Sequence, residues 1–277
     1  MKCAWNDLIS ILPQSMRQNM DKLSAECVQE MRLRLQRPPE IILKDRRLHM
    51  GTPVTSEEIS FIINTASRYS PWMAASSASG YISVPGGHRI GMCGEAVIKD
   101  GEMTGFRMIR SLNIRVARDF PGISATVGKE RGSVLIIGKP GCGKTTFLRD
   151  LIRYRSARET VAVVDERSEL FPLNLHFDRD CSLDVLSGCR KAHGIQILLR
   201  TMGPDVIAVD EITAAEDCDA LLQAGWCGVK FLATAHASNK EDLYARPMYQ
   251  PLVRTGMFDT LIIMQPDKSW RMERIKL

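Results

Sequence analysis

The sequence predicts an α/β protein whose core holds a predominantly parallel sheet, preceded by a smaller α+β domain. Three observations carry this. Apolar strand-like runs at 134–137, 161–164, 206–209, 231–234 and 261–264 alternate with helical stretches, the pattern of parallel strands covered on both faces. The first run leads through a glycine-rich loop directly into a helix-like segment at 147–154. Ahead of Arg118 the pattern changes to short segments separated by the turn signals Pro85-Gly86-Gly87 and Asp100-Gly101. With 277 residues, 44% of them hydrophobic, the chain can bury one sizeable core and a smaller one, so it divides into 1–118 and 119–277.

In the first domain, 55–69 reads as a helix: Thr55-Ser56-Glu57-Glu58 has the form of a capping box, and Ile59, Ile62, Ile63 and Ala66 follow at helical spacing. From Gly80 onward, 81–84, 90–98 and a stretch around Phe106 read as strands. In the second domain the parallel pattern begins after Phe120-Pro121-Gly122, and the alternating 270–277 closes it as an edge strand. The net charge of +5 is all N-terminal: 16 Lys/Arg against 11 Asp/Glu lie in 1–118, leaving 21 of each beyond. Such a basic domain suits nucleic acid, acidic lipid, an acidic partner or a neighbour's phosphates. The eight cysteines include no C-x-x-C pair and no Cys/His spacing that closes a zinc site, which fits a reducing cytosol. No apolar run approaches the ~20 residues of a membrane span and no signal-peptide core opens the chain, so a direct membrane span is not expected.

The chemistry centres on Gly138-Lys139-Pro140-Gly141-Cys142-Gly143-Lys144-Thr145-Thr146, which satisfies G-x-x-x-x-G-K-[ST] between a strand and a helix. Glycines let backbone amides crowd around phosphate oxygens, and the helix N-terminus adds its unpaired donors. Lys144 is expected to reach the β and γ phosphates of ATP, and Thr145 to ligate Mg²⁺. Cys142 lies where a helix N-terminus activates thiols, so sensitivity to thiol reagents is expected. The run 205–209 ends in Asp210-Glu211, a strand delivering two carboxylates to the ligand edge of the sheet. Asp210 is expected to hold the metal, and Glu211 to orient and polarise the attacking water. Glu166, in Asp165-Glu166-Arg167-Ser168-Glu169 at the end of another strand, is read as aiding Glu211, with Arg167 and Glu169 in a surface salt-bridge cluster. Thr234 and His236 end a further strand, and His236 is read as a γ-phosphate sensor.

Together these segments resemble the secretion-ATPase branch of the RecA-like P-loop proteins, relatives of type II and type IV secretion and pilus motors, and within it the sporulation ATPases. The order Walker A loop (138–146), acidic box (165–169), Walker B (204–211) and T-x-H box (234–236) is kept. The likeness extends to 30–34, 80–91 and 111–118, and so spans nearly the whole chain. It implies a RecA-like core and a cytoplasmic homohexamer. It further implies that a membrane-anchored sporulation channel protein recruits this ring to the inner face of the mother cell membrane, where it energises the channel to the forespore. Thr213-Ala214-Ala215 stands where that branch has Gly-Arg. Arg89, Arg107, Arg110, Arg115 and Arg118 are candidates for an arginine acting on a neighbour's site.

Two other enzyme readings and one non-enzymatic reading compete. Asn239-Lys240-Glu241-Asp242 matches the guanine-reading N-K-x-D, yet Thr213 occupies the glycine position of a GTPase D-x-x-G, and the tetrapeptide also suits a capped helix start. A nucleic-acid translocase is disfavoured because only 6% of residues are aromatic and no aromatic-basic stacking motif is present. A scaffold that binds ATP without hydrolysing it conflicts with intact Lys144, Asp210 and Glu211.

Overall fold

The structure, a computed structural model, describes residues 3–68, 80–171 and 180–275. They form two compact units, one up to Asp119 and the other from Phe120 onward.

The first unit opens with α1 (Trp5–Ser10) and α2 (Gln14–Met20), followed by β1 (Val28–Arg34), β2 (Glu40–Leu43) and β3 (Arg47–His49). After α3 (Ser56–Ala66) come β4 (Tyr81–Ser83), β5 (Arg89–Lys99) and β6 (Glu102–Arg115). The six strands make one antiparallel sheet in the order β3-β2-β1-β6-β5-β4. Leu8, Leu12, Met31, Leu33, Ile59, Ile62, Ile90 and Ile114 form its core. The expected capping box starts α3: Thr55 Oγ accepts from the Glu58 amide at 3.2 Å, and Glu58 accepts from the Thr55 amide at 3.0 Å, which satisfies two end donors reciprocally. The helix ends earlier than expected, because Ser67 leaves helical dihedrals and Arg68 turns the chain at φ 50. Tyr69 lies outside the described residues. The first two helices and β1–β3 were not anticipated. In β1 the polar face carries its own ion pairs, Arg32 with Glu30 and Arg34 with Glu40, so the charges hide a strand whose Val28, Met31 and Leu33 are buried.

The motif 85–88 is structural. His88 is fully buried, donates from Nε2 to the Ala4 carbonyl at 2.9 Å, and accepts at Nδ1 from the Ala117 amide at 3.1 Å. At Gly86 (φ 78) a Cβ would stand 2.3 Å from that of Ala4, so only glycine admits this approach. Burial pushes the imidazole below its ordinary value, against the opposing pull of the Ala4 bond and the Asp7 charge. The folded state therefore holds His88 neutral, while the unfolded chain takes up a proton near about pH 6.5. Stability from this group is complete above that pH and is lost progressively as the pH falls from there through the lower folded value. Thermal melts from about pH 8 to about pH 5 are expected to show the unit's transition falling, and His88→Gln is expected to flatten that dependence.

The second unit contains β7 (Val134–Ile137), α4 (Lys144–Ser156), β8 (Val161–Asp165), β9 (Leu183–Ser187), α5 (Lys191–Thr201) and β10 (Val206–Ile212). It continues through α6 (Ala215–Trp226), β11 (Lys230–Ala235), α7 (Lys240–Ala245), α8 (Gln250–Arg254), β12 (Thr260–Met264) and β13 (Trp270–Arg274). The sheet runs β13-β12-β7-β11-β10-β8-β9 and is parallel except for the β12–β13 pair. This is the mixed α/β architecture with a largely parallel core that the sequence predicts. Strand β7 and strand β12 are wholly buried, as continuous apolar runs demand. The edge strand β9, with a half-exposed, mixed sequence, was not anticipated. Residues 276 and 277 of the expected final strand lie outside the described residues.

Candidate functional site

Strand order assembles the site. Because β11 lies between β7 and β10, three neighbouring strands deliver the glycine-rich loop, Thr234 with His236, and Asp210 with Glu211 to one carboxyl edge. That edge is where open α/β sheets bind ligands. Next along, β8 adds Asp165 and Glu166.

The loop between β7 and α4 takes backbone conformations that side chains resist, with Gly141 at φ 79 and Gly143 at φ 101. Lys139, Pro140 and Gly141 are exposed at its crest. The helix that follows has no side-chain cap, which leaves its first amides for an anion. Lys144 Nζ donates to the carbonyls of Gly138 at 2.9 Å and Lys139 at 3.2 Å, and lies 3.3 Å from His236 Nδ1. Cys142 is only 2% exposed, and a Cβ on Gly138 would come within 2.6 Å of its sulfur. The expected thiol sensitivity is therefore corrected: the sulfur is packed inside the loop, and reagents reach it only when the loop opens.

Thr145 Oγ donates to Asp210 Oδ2 at 2.7 Å, and Thr234 Oγ donates to Asp210 Oδ1 at 2.5 Å. The Glu211 amide donates to Thr234 Oγ at 2.7 Å, holding Glu211 in the left-handed region at φ 53. Its carboxylate meets His236 Nε2 at 2.8 Å on one oxygen and Arg167 Nη1 at 3.6 Å on the other. An ammonium can only donate, so His236 accepts from Lys144 at Nδ1 and donates to Glu211 from Nε2. Lys144, Thr145, Asp210, Glu211 and His236 thus form one connected network.

Glu166 stands apart from that network. Its carboxylate is bound to Lys191 Nζ at 2.5 Å, and Lys191 is buried. Burial opposes its ionisation, but the Lys191 bond and charge, with Arg167 adding, hold the group below the usual carboxylate range. Arg167, expected in a surface cluster with Glu169, has its guanidinium beside Glu211 instead.

Several positioning groups were missed, and the partners of Arg149, Asp150 and Tyr249 lie 13 to 37 positions away in sequence. Asp165 accepts from the amides of Glu169 at 2.9 Å and Phe171 at 2.7 Å, shaping the loop of 165–171. Burial pushes its carboxyl up, aided by the Asp210 charge and opposed by those amides. Arg149 of α4 grips the same loop at the carbonyls of Leu170 (2.5 Å) and Glu169 (2.6 Å). Asp150, fully buried, accepts from the amides of Gly122 (3.0 Å) and Ser124 (2.9 Å) and from Ser124 Oγ (2.8 Å). Tyr249 bridges two strand ends by donating to the Ile212 carbonyl at 3.1 Å and accepting from the His236 amide at 3.4 Å. An arginine and an aspartate inside an amphipathic helix were the available signal for the α4 pair.

Beside the loop opens a cavity of about 580 Å³ lined by Phe120, Ile123, Thr146, Phe147, Met264 and Trp270 among others. Phe147 and Trp270 meet edge to face at 5.2 Å. Asp242, the guanine-reading position of the N-K-x-D match, is occupied elsewhere. It accepts from the Ser238 amide at 2.8 Å, pairs with Arg246 at 2.9 Å, and its amide is capped by Asn239 at 2.8 Å.

The family model of "Sporulation stage III, protein AA" matches residues 4–274. The chain is similar to Stage III sporulation protein AA of Bacillus subtilis (strain 168), at 34% identity over 285 residues, spanning 95% of this chain and 92% of that one. Among solved structures it is similar to the Legionella pneumophila ATPase DotB, with TM-score 0.58 and 18% identity over 94% of this chain and 79% of that one. It is also similar to the pilus retraction motor PilT with bound ADP, with TM-score 0.63 and 13% identity over 91% of this chain and 77% of that one. These two likenesses concern the fold.

Proposed function

The chain belongs to the sporulation stage III protein AA family, and from that premise and the assembled phosphate site we propose that it is a Mg-dependent ATPase of the secretion-motor type. The observation that carries the reading is the network joining Lys144 and Thr145 of the loop to Asp210, Glu211 and His236. In it a phosphate cradle, hard oxygen donors and a general base share one sheet edge.

Thr145 and Asp210 fit a magnesium ion, which favours oxygen ligands and takes few from protein. They would hold it beside the phosphates, where it neutralises charge developing on the transferred group. Lys144 would leave its two loop carbonyls for the β and γ phosphates. Glu211 would take the proton of the attacking water, and His236, already between Lys144 and Glu211, would report the γ phosphate to the base. The apolar cavity beside Thr146 would take the nucleoside, its aromatic walls offering a face for stacking. Adenine is favoured over guanine because Asp242 is already engaged.

We further propose that the ATPase works as a homohexamer at the channel between mother cell and forespore, a reading supported by the resemblance to secretion and sporulation ATPases. A membrane-anchored partner would recruit it there; among the described residues no helix is long and apolar enough to cross a membrane. Of the arginines proposed to act on a neighbour's site, Arg89 lies on the Tyr81 ring, Arg110 pairs with Glu95, Arg115 pairs with Glu30, and Arg118 binds the Glu26 and Val28 carbonyls. Arg107 is exposed and has no ion pair or hydrogen bond within the described residues, so it is the strongest of the five.

Phosphate release from ATP and from GTP, measured against protein concentration alongside particle size, tests this reading. ATP-selective release that rises as the chain assembles and disappears on magnesium chelation is expected. GTP selectivity, or an assembled ring that releases no phosphate, would overturn it.

A further inference from the structure

Two residues near the candidate site sit in the left-handed region without being glycine: Glu211 at φ 53 and Ser168 at φ 52. Such strain persists only where the surroundings over-determine it, and it collects at functional sites. Both positions are held firmly. Thr234 Oγ fixes the Glu211 amide. The Ser168 turn is closed from inside by Asp165, which accepts two amides, and from α4 by Arg149, which donates to two carbonyls. This loop carries one cation to the acidic strand end: Arg167, whose Nη1 lies 3.6 Å from Glu211 Oε2, opposite the oxygen that accepts from His236 at 2.8 Å.

Resting on the proposed ATPase reading, we infer that Arg167 is a positioning residue for Glu211: with His236 it clamps the carboxylate from its two oxygens and aims it at the attacking water. A glutamate on a strand end has free torsions, and a single bond to His236 leaves the carboxylate plane free to turn. A cation on the other oxygen removes that freedom. The tightly braced loop then has a clear use, because a side chain that is 60% exposed aims well only from a rigid base.

Arg167→Ala is expected to lower kcat about 10- to 100-fold, the scale of a misplaced reacting group, with KM for ATP nearly unchanged. Arg167→Lys is expected to recover much of the loss, and added methylguanidinium to rescue Arg167→Ala in part. An unchanged kcat in Arg167→Ala, in a wild-type chain that does hydrolyse ATP, overturns the inference and leaves the ATPase reading intact. So does a loss that neither lysine nor methylguanidinium restores, which marks a merely structural role. If the wild-type chain shows no hydrolysis, the ATPase reading fails by itself, and a cycle of Arg167→Ala, Glu211→Gln and the double variant in nucleotide-free protein decides the clamp. Melting shifts coupled by about 1–2 °C support it, and additive shifts overturn it.

Discussion

Glu211→Gln is expected to lower ATP hydrolysis by roughly 10²- to 10⁴-fold, the usual contribution of a positioned general base, while ATP binding stays close to that of the wild-type chain. The substitution keeps the size of the side chain and an oxygen for His236, but removes the charge that accepts the water's proton. Binding is set by other groups, namely the loop amides, Lys144 and Thr145. Lys144→Ala should act the other way. Lys144 is buried, with Nζ on the Gly138 and Lys139 carbonyls, so its removal strips the loop of its only buried cation and affinity falls together with turnover. Equilibrium binding of a fluorescent ATP analogue, combined with single-turnover hydrolysis, separates the two variants. Equal losses of binding in both would contradict the roles given to them.

The second large effect concerns stability. Asp150→Ala is expected to destabilise the second unit by about 3–5 kcal/mol, as breaking a buried ion pair from one side does. It would lower the melting temperature by about 10 °C. Asp150 is fully buried and accepts from two amides and one hydroxyl while pairing with Arg153 at 2.9 Å. Alanine leaves the buried amide and hydroxyl of Ser124 without their acceptor, and each such group costs about 1–3 kcal/mol. Asp150→Asn keeps one carbonyl oxygen and should cost less. Thermal unfolding of both variants measures the difference, and a shift in Asp150→Ala no larger than that of an exposed aspartate would show that the segment 122–124 is held by other means.

What could be read from the sequence divides along a physical line. The glycine-rich loop, the acidic end of β10 and the threonine and histidine ending β11 are local patterns, in which spacing and neighbouring strand together determine the geometry. The parallel core was legible for the same reason, since wholly buried strands such as β7 and β12 must be continuous apolar runs. Strand β1 was illegible because its partners neutralise its charges: Glu30, Arg32 and Arg34 are polar by sequence yet paired in the sheet. Lys191, Arg149 and Asp150 were illegible because their significance lies in groups about 20 or more positions away. Glu166 shows the limit within a recognised motif. Its place at the strand end was correct, but its partner is Lys191, and nothing local in the sequence reveals that buried cation.

The sealed sulfur of Cys142 has a kinetic consequence. A thiol packed against Gly138 can be alkylated only during the brief intervals when the loop swings away, so the observed rate is the intrinsic chemical rate multiplied by the fraction of time spent open. Its modification, referred to the rate of the same thiol in an unfolded chain, thus gauges the share of time the phosphate cradle stands open.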